Sequence, residues 1–335
     1  MSSISIKDIA QMAQVSHSTV SRALHHSPLV NGETGDRIRQ IARRVGYRPS
    51  AAARSLVTKK TWMIGVVVTT IADPFVAELV SGIEETANEH GYSVFLANSN
   101  ADPERELRVV HSFHERLVDG ILVTASRVGA LYLPRLTELK APIVLINNQH
   151  PGEFAHSVVI DNVTASRAAT AHLIQLGHRR IAYIGDRCGF QSDTERFTGY
   201  RQALDLAGLA FWPELVVHGA GHAESGGPAL ETLLSLAQPP TAVFCYNDMT
   251  ALGALRTLHA RGLSVPDDIS LVGFDDLFIA SYTQPLLTTV RQPRQQMGRM
   301  AMEMLLKLCA GQEATSSVKV SGELIVREST APPKA

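Results

Sequence analysis

The sequence predicts two unlike parts, a small all-α headpiece and a larger α/β body made of two doubly wound lobes. Short segments of helical periodicity fill the first 47 residues, and strand–helix alternation fills most of the rest. Charge divides the chain at nearly the same place. Residues 1–60 carry ten Lys and Arg against three Asp and Glu, and the remainder carries 21 against 29. A basic end on an acidic body indicates contact with a polyanion, although a solvated basic surface would have the same composition.

The composition argues against several classes of protein. The chain is 45% hydrophobic and 19% charged, as globular proteins are. No apolar run approaches the roughly 18 residues of a membrane-spanning helix, and the N-terminus does not have the pattern of a secretory signal. Three cysteines, Cys188, Cys245 and Cys309, are too widely spaced for a disulfide framework. We therefore expect a cytoplasmic protein with reduced thiols and no membrane contact.

Three short helices are predicted in the headpiece. Each begins at a residue whose side chain can cap a helix: Ser5, Ser16, and either Asn31 or Thr34. The second helix spans residues 17–24, and the third ends near Gly46. The first two helices, with a tight turn near Gln14, form a helix-turn-helix unit.

The second helix carries the candidate contacts to nucleic acid. Such a recognition helix inserts its N-terminal part into the DNA major groove, where an arginine can pair bidentately with guanine. Its predicted outward residues are short hydrogen-bonding groups and one guanidinium: Ser16, His17, Ser18, Ser21 and Arg22. A single Ser or His on a helix would otherwise be a solvated surface residue. The set as a whole, in this basic segment, predicts DNA contact.

The body alternates strands and helices in two series. Strands are predicted at 62–69, 92–97, 119–124, 142–147, 158–160, 181–185, 215–218, 242–246 and 269–274. Helices are predicted at 74–90, 103–116, 131–139, 162–176, 195–207, 226–236 and 249–261. This alternation indicates parallel sheets covered by helices, and two series indicate two lobes.

Polar residues at the carboxyl ends of these strands predict a ligand cleft. Asp275 ends a strand and could accept two hydroxyl groups of a sugar. Asp73 and Phe75 follow the first strand, and Phe75 could stack on a sugar ring. Weaker candidates come from loops: Phe190, Ser192 and His222. Helix capping is an alternative for Asp161, Asn162, Asn247 and Asp248, and it is favoured for Asn162 and Asp248. Asp276 could likewise be a structural cap.

Several motifs resemble the lactose/galactose-repressor (LacI-type) family. They are Ile6-Lys7-Asp8-Ile9-Ala10, Val15-Ser16, Thr19-Val20-Ser21-Arg22-Ala23-Leu24, Thr34-Gly35-Asp36-Arg37-Ile38 and Gly46-Tyr47-Arg48-Pro49. The resemblance extends to about residue 330. One departure is Gln14, where the family usually has glycine. If this turn requires a positive φ, Gln14 carries a modest strain.

The resemblance implies a domain organisation and further cleft residues. It implies a headpiece at 1–47, a hinge at 48–60 and a periplasmic-binding-protein-like body at 61–330. The first lobe would comprise about 61–160 and 290–318, and the second about 161–288 and 319–330. Arg196, Asn247 and Gln292 match effector contacts of the family. The chain would cross between the lobes near 160–162, 288–292 and 318–322.

The segment that joins the two parts allows two interpretations. Residues 50–56 are good helix formers, but so short a helix is unstable alone in water. An ordinary flexible linker is one interpretation. The resemblance implies the other, a hinge helix that forms when two copies meet in the minor groove. Leu56 would then wedge into a base step, while Ala53 would allow close approach.

The resemblance therefore implies a transcriptional regulator. It would bind a palindromic operator in double-stranded DNA as a homodimer, controlled by a small sugar or sugar derivative. A purine or other co-repressor is an alternative effector, and a sugar-binding protein without DNA function is an alternative protein. A sugar-modifying enzyme is disfavoured, because no catalytic motif, cofactor loop or metal-ligand set occurs. No catalytic residue, cofactor or metal is predicted.

Overall fold

The computed structural model describes residues 4–24, 27–47, 60–126, 128, 141–148 and 156–334. The chain divides into two compact units, Met1–Thr61 and Trp62–Ala335, and each has its own hydrophobic core. The predicted all-α headpiece and α/β body are both confirmed.

The headpiece is a compact group of short helices. They are α1 (Ile6–Ala13), α2 (His17–Leu24) and α3 (Gly32–Arg44). Their apolar faces meet in a core that includes Ile9, Val20 and Ile38, each fully buried. Asn31, not Thr34, caps α3, because its side chain accepts a hydrogen bond from the backbone N–H of Glu33 at 3.0 Å.

The first lobe of the body is built on parallel strands. They are β1 (Met63–Val68), β2 (Ser93–Asn98), β3 (Gly120–Thr124), β4 (Ile143–Ile146), β5 (Ser157–Ile160) and β11 (Ser317–Val320). Within the described residues they form one sheet in the order β11-β5-β4-β3-β1-β2. Three helices pack against it: α4 (Pro74–Glu89), α5 (Pro103–Glu115) and α10 (Arg294–Cys309). The central strands β3 and β4 are buried throughout, as expected of a parallel sheet that is covered on both faces.

The second lobe repeats this architecture. Its strands are β6 (Ile181–Asp186), β7 (Val216–Gly219), β8 (Ala242–Cys245) and β9 (Ser270–Val272). They are all parallel and lie in the order β7-β6-β8-β9. The helices of this lobe are α6 (Asn162–Gln175), α7 (Gln191–Leu206), α8 (Ala223–Leu234) and α9 (Asp248–Ala260).

The chain passes between the lobes at neighbouring points. It enters the second lobe after β5 and returns through β10 (Thr289–Arg291) to α10 and β11. The chain then leaves the first lobe for the second time through β12 (Glu323–Ile325), which pairs antiparallel with β10. Helix α10 lies very close to α4, because a Cβ on Gly298 would be 2.1 Å from the backbone oxygen of Leu79. This close approach fixes the start of α10 beside the crossing.

One helix of the second lobe starts earlier than predicted, and two predicted segments lie outside the described residues. Helix α7 begins at Gln191 rather than at residue 195. Its first turn is fastened to β6 because the Asp193 carboxylate accepts hydrogen bonds from the Tyr183 hydroxyl at 2.7 Å and the Asp186 N–H at 3.0 Å. The predicted helix at 131–139 and residues 48–59 of the predicted hinge lie outside the described residues. In the part of the chain that the structure covers, no helix has the length and apolar character to cross a membrane.

Candidate functional site

The turn between α1 and α2 has the geometry of a helix-turn-helix. Gln14 ends α1 in the left-handed region, with φ 53°. The turn therefore does require a positive φ at this position, where glycine would be unstrained. Ser16 then starts α2, because its hydroxyl accepts a hydrogen bond from the backbone N–H of Thr19 at 3.1 Å.

The outward face of α2 carries the predicted DNA contacts. Ser16, His17, Ser18 and Arg22 are exposed, while Ser21 is half-buried. The Ser16 hydroxyl also shares hydrogen bonds with the hydroxyl groups of Ser18 and Thr19, at 2.7 and 2.8 Å. Ser16 thus has a structural role whether or not it contacts DNA. His17 and Arg22 present the larger exposed donors of this face.

Two headpiece arginines stabilise the fold itself. Arg37 donates to the backbone oxygen of Ala13, at 3.1 Å, and Arg39 donates to that of Ala23, at 2.9 Å. These carbonyl groups lie in the last turns of α1 and α2, where no intrahelical partner is available. Part of the basic excess therefore ties α3 to the helix-turn-helix. Ala53 and Leu56, the predicted hinge contacts, lie outside the described residues.

A cleft of about 500 Å³ lies within the body where the strands of both lobes end. All seven predicted effector contacts line it: Asp73, Phe75, Ser192, Arg196, Asn247, Asp275 and Gln292. The weaker candidates Phe190 and His222 line it as well. Residues from six segments distant in sequence thus meet in one cavity. A deep cavity with convergent polar groups is the usual form of a small-molecule site.

Arg196 is the most constrained side chain of the cleft. It is 4% exposed, and its guanidinium lies 3.7 Å from the ring centre of Phe274 and 4.6 Å from that of Tyr246. Its Nε donates to Asn162 at 3.0 Å, and Nη1 donates to the backbone oxygen of Tyr246. Its Nη2 lies 3.6 Å from a carboxylate oxygen of Asp275. The arginine is therefore fixed in position before any ligand arrives.

Asp275 occupies a strained and buried position beside it. Its φ is 115°, which few residues other than glycine adopt, and its side chain accepts a hydrogen bond from Gln292 Nε2 at 2.6 Å. Burial raises the pKa of Asp275 to about 6, although Arg196 opposes the shift. Such a carboxylate is stabilised by any donor or cation that enters the cleft.

Asp73 and Ser192 meet the cleft from the starts of two helices. The Asp73 carboxylate caps α4 by accepting the Phe75 N–H at 2.9 Å, and burial raises the pKa of Asp73. The Ser192 hydroxyl shares a hydrogen bond with the Tyr246 hydroxyl at 2.9 Å. Both polar groups are held at the cavity wall by local contacts.

The favoured interpretations of Asn162 and Asp248 as helix caps were wrong. Asp161 caps α6. Asn162 instead donates its amide to the Glu195 carboxylate at 2.8 Å and accepts a hydrogen bond from Arg196 Nε. Asn247 caps α9 through its side-chain oxygen and donates its amide to the Gly221 carbonyl at 2.9 Å.

Asp248 is buried and accepts hydrogen bonds from the Leu277 N–H at 2.7 Å and the Thr289 hydroxyl at 2.5 Å. Asp276 is no cap either, since it pairs with Arg291 at 2.7 Å and Arg327 at 2.6 Å. In the pairs Asp161–Asn162 and Asn247–Asp248, the first residue caps a helix and the second supports the cleft or the crossing between the lobes.

Sequence reasoning missed other residues of the cleft. Asp186, Cys188 and Tyr246 line it, although none was a candidate. Asp186 ends β6, so the rule that pointed to other strand ends could have found it. Tyr246 follows β8 directly and was grouped with the strand. Thr124 also lines the cleft, and its hydroxyl is buried without a hydrogen-bond partner among the described residues.

Comparisons with known proteins agree with this architecture. Residues 5–50 match the model of bacterial regulatory proteins of the lacI family, and residues 170–330 match the periplasmic binding protein-like domain. The chain is 37% identical over 326 residues to the HTH-type transcriptional repressor CytR of Escherichia coli (strain K12), a match that covers 97% of this chain and 96% of CytR.

Two solved structures resemble the whole chain. The lac repressor dimer bound to operator and the anti-inducer ONPF matches with a TM-score of 0.90 at 26% identity, over 98% of this chain and 100% of that one. The transcriptional regulator CelR in complex with cellobiose matches with a TM-score of 0.74 at 32% identity, over 97% and 99%.

The raised pKa of Asp275 predicts a pH-dependent stability difference. Because the native carboxyl binds its proton more tightly than the unfolded one, Asp275 costs stability as the pH rises from about 4 to about 6. Asp275→Asn removes this titration and tolerates the positive φ. We expect its free energy of unfolding, relative to wild type, to rise by up to about 3 kcal/mol between pH 4 and pH 7. Urea denaturation across this range measures the difference, and a pH-independent difference would contradict the assignment.

Proposed function

This chain belongs to the lacI family of bacterial regulatory proteins, and from that premise we propose that it represses genes of carbohydrate metabolism. It is a transcriptional repressor with a DNA-binding and an effector-binding domain. In our proposal it binds a palindromic operator as a homodimer, and a small sugar-like effector in the cleft controls that binding. The observation that carries the proposal is the presence, in one chain, of an exposed recognition helix in a basic N-terminal segment and a cleft of about 500 Å³ on which charged and polar side chains converge.

In the proposed complex, α2 enters the major groove of the operator. His17, Ser18 and Arg22 are exposed on one side of this short helix, which supports base contacts from that side. Ser21 lies between His17 and Ser18 around the helix and is half-buried, and Ser16 precedes the first turn. Exposed arginines of α3, such as Arg43 and Arg44, would reach phosphates. Operator affinity should therefore fall steeply with salt.

The proposed division of the chain follows from this role. Residues 1–47 read the operator, 48–60 form a hinge, and 61–330 bind the effector and dimerise. In the hinge, paired helices from two copies would enter the minor groove, with Leu56 as the wedge and Ala53 at the close approach. A homodimer is part of the proposal because a palindromic operator has the two-fold symmetry of two identical subunits. The small number and wide spacing of the cysteines, Cys188, Cys245 and Cys309, support a reducing, cytoplasmic location.

The proposed effector contacts are the seven predicted cleft residues. Asp275 would accept ligand hydroxyls, Arg196 would donate through Nη2, and Phe75 would cover an apolar face. Asp73, Ser192 and Gln292 add polar groups around the cavity. Asn247 contributes mainly by holding the loop, since both ends of its amide already have partners.

An electrophoretic mobility-shift assay with promoter DNA tests the proposed function. The full-length protein should retard a fragment that contains its palindromic operator, and a ligand of the cleft should change the fraction bound. A sugar-binding protein without DNA function is the alternative that the body alone would permit. No binding to any promoter fragment at low salt, with the dimer intact, would favour that alternative.

Arg22 should contribute base specificity. Arg22→Ala should weaken operator binding by roughly 1–3 kcal/mol and relax the preference at one base pair in each half-site. Titration against operators with every single-base change measures both effects. Arg256→Ala, which removes an exposed arginine from the body, is the charge-matched control and should bind like wild type. An equal loss on all sequences would instead make Arg22 a phosphate contact.

Leu56 should act as a wedge at the operator centre. Leu56→Ala should weaken operator binding roughly tenfold or more, because the bent complex loses its apolar insertion. Effector affinity should stay nearly unchanged. Leu206→Ala is a suitable control, since this leucine of the body is 78% exposed. Wild-type operator affinity in Leu56→Ala would return the segment to the role of a linker.

A further inference from the structure

We propose, building on the proposed function, that the effector carries hydrogen-bond donors and no anionic group. Its chemical class is a neutral or amine-bearing polyol or nucleoside, as opposed to a phosphate ester or a carboxylic acid. Two independent observations support this inference. Carboxylates outnumber basic groups around the cleft, and the protein engages several of the donor side chains of the cleft while leaving acceptor oxygens available.

Acidic groups outnumber basic ones around the cavity. Asp73, Asp186 and Asp275 line it, against a single lining arginine, Arg196. Arg294 donates a hydrogen bond to the backbone oxygen of Asp275, but it forms an ion pair with Glu78 at 2.7 Å and does not line the cleft. His222 is the other basic group at the wall. A ligand anion would face these carboxylates in a partly dehydrated space, where like charges repel strongly.

Three donor side chains of the cleft, Arg196, Asn247 and Gln292, are largely engaged by the protein. Arg196 uses Nε and Nη1 on Asn162 and Tyr246. Asn247 gives its amide to the Gly221 carbonyl, and Gln292 gives its amide to Asp275. An anion needs several donors at once, as phosphate sites provide. Among the described residues the Thr124 hydroxyl has no hydrogen-bond partner, and Nη2 of Arg196 lies 3.6 Å from an Asp275 oxygen, so a ligand anion would have to compete with Asp275 for the guanidinium.

Acceptors, in contrast, remain available. The side-chain oxygen of Gln292 is buried and has no hydrogen-bond partner among the described residues, and Gln292 itself is only 2% exposed. A buried polar atom without a partner is costly, so a donor from the ligand would relieve it. Asp275 and Asp73 offer carboxylate oxygens beside it, and burial raises the pKa of both groups. Donors or a positive charge would stabilise their ionised forms.

Matched ligands that differ mainly in charge test the proposal. The probes are glucose, glucosamine, gluconate and glucose 6-phosphate, ribose with ribose 5-phosphate, and adenosine with adenosine monophosphate. Calorimetric titration of the full-length protein at pH 7.5 compares each set. In every set that binds, the anionic member should bind roughly tenfold or more weakly than its neutral or amine-bearing counterpart. Tighter binding of a phosphate ester or sugar acid would overturn the proposal.

A ligand-free measurement separates this proposal from the proposed function. Cys188 is exposed and lines the cleft, so the rate at which a charged methanethiosulfonate converts it to a mixed disulfide, with release of methanesulfinate, reports the local potential. In a Cys309→Ser background, a cationic methanethiosulfonate should react with Cys188 roughly tenfold faster than an anionic one, relative to a free thiol. Asp186→Asn should bring the ratio of the cationic to the anionic reaction rate closer to that of a free thiol. Equal rates would contradict an acidic cleft. An acidic cleft that binds none of a wide range of neutral and amine-bearing ligands would count against the proposed effector control.

Discussion

One arginine side chain ties the two lobes together beside the cleft. Arg294, the first residue of α10 in the first lobe, holds Glu78 of α4 through Nη2 at 2.7 Å and through Nε at 3.1 Å. Its guanidinium also donates to the backbone oxygens of Asp275 and Asp276, which belong to the second lobe. A guanidinium that is 4% exposed requires such partners, since an unpaired buried charge is very costly. The position of Asp275 therefore depends on both lobes at once.

Several residues that line the cleft have strained backbone conformations. Asn100, Ala101, Ala125, Asn147 and Asp275 line the cleft with positive φ angles. Each such residue costs on the order of 1–3 kcal/mol, and persists only where its surroundings fix it. At Asp275 the surroundings are Gln292, Arg196 and Arg294, and the next residue, Asp276, is held by two further arginines. A ligand bound to the Asp275 carboxylate would contact the same turn whose backbone oxygens accept hydrogen bonds from Arg294. Ligand binding could therefore change how the two lobes are arranged.

The sequence identified the site better than it identified the roles of individual residues. Strand-end positions predicted Asp73 and Asp275, because parallel strands bring their carboxyl ends together. The family resemblance supplied Arg196 and Gln292. Neighbouring polar pairs were harder, since either Asp161 or Asn162 could cap a helix, and only the packing of Arg196 decides between them. Local signals also could not show that the amide of Asn247 is engaged by Gly221, a contact between residues 26 positions apart.

If a ligand in the cleft controls operator binding, the two binding equilibria must be thermodynamically linked, and operator affinity measured with and without ligand tests this linkage most directly. Operator affinity is titrated by fluorescence anisotropy with the cleft empty and with it saturated by a ligand from the screen. We expect operator affinity to change roughly fivefold or more, with an equal reciprocal change in ligand affinity when operator is bound. Unchanged operator affinity with a saturated cleft would contradict it.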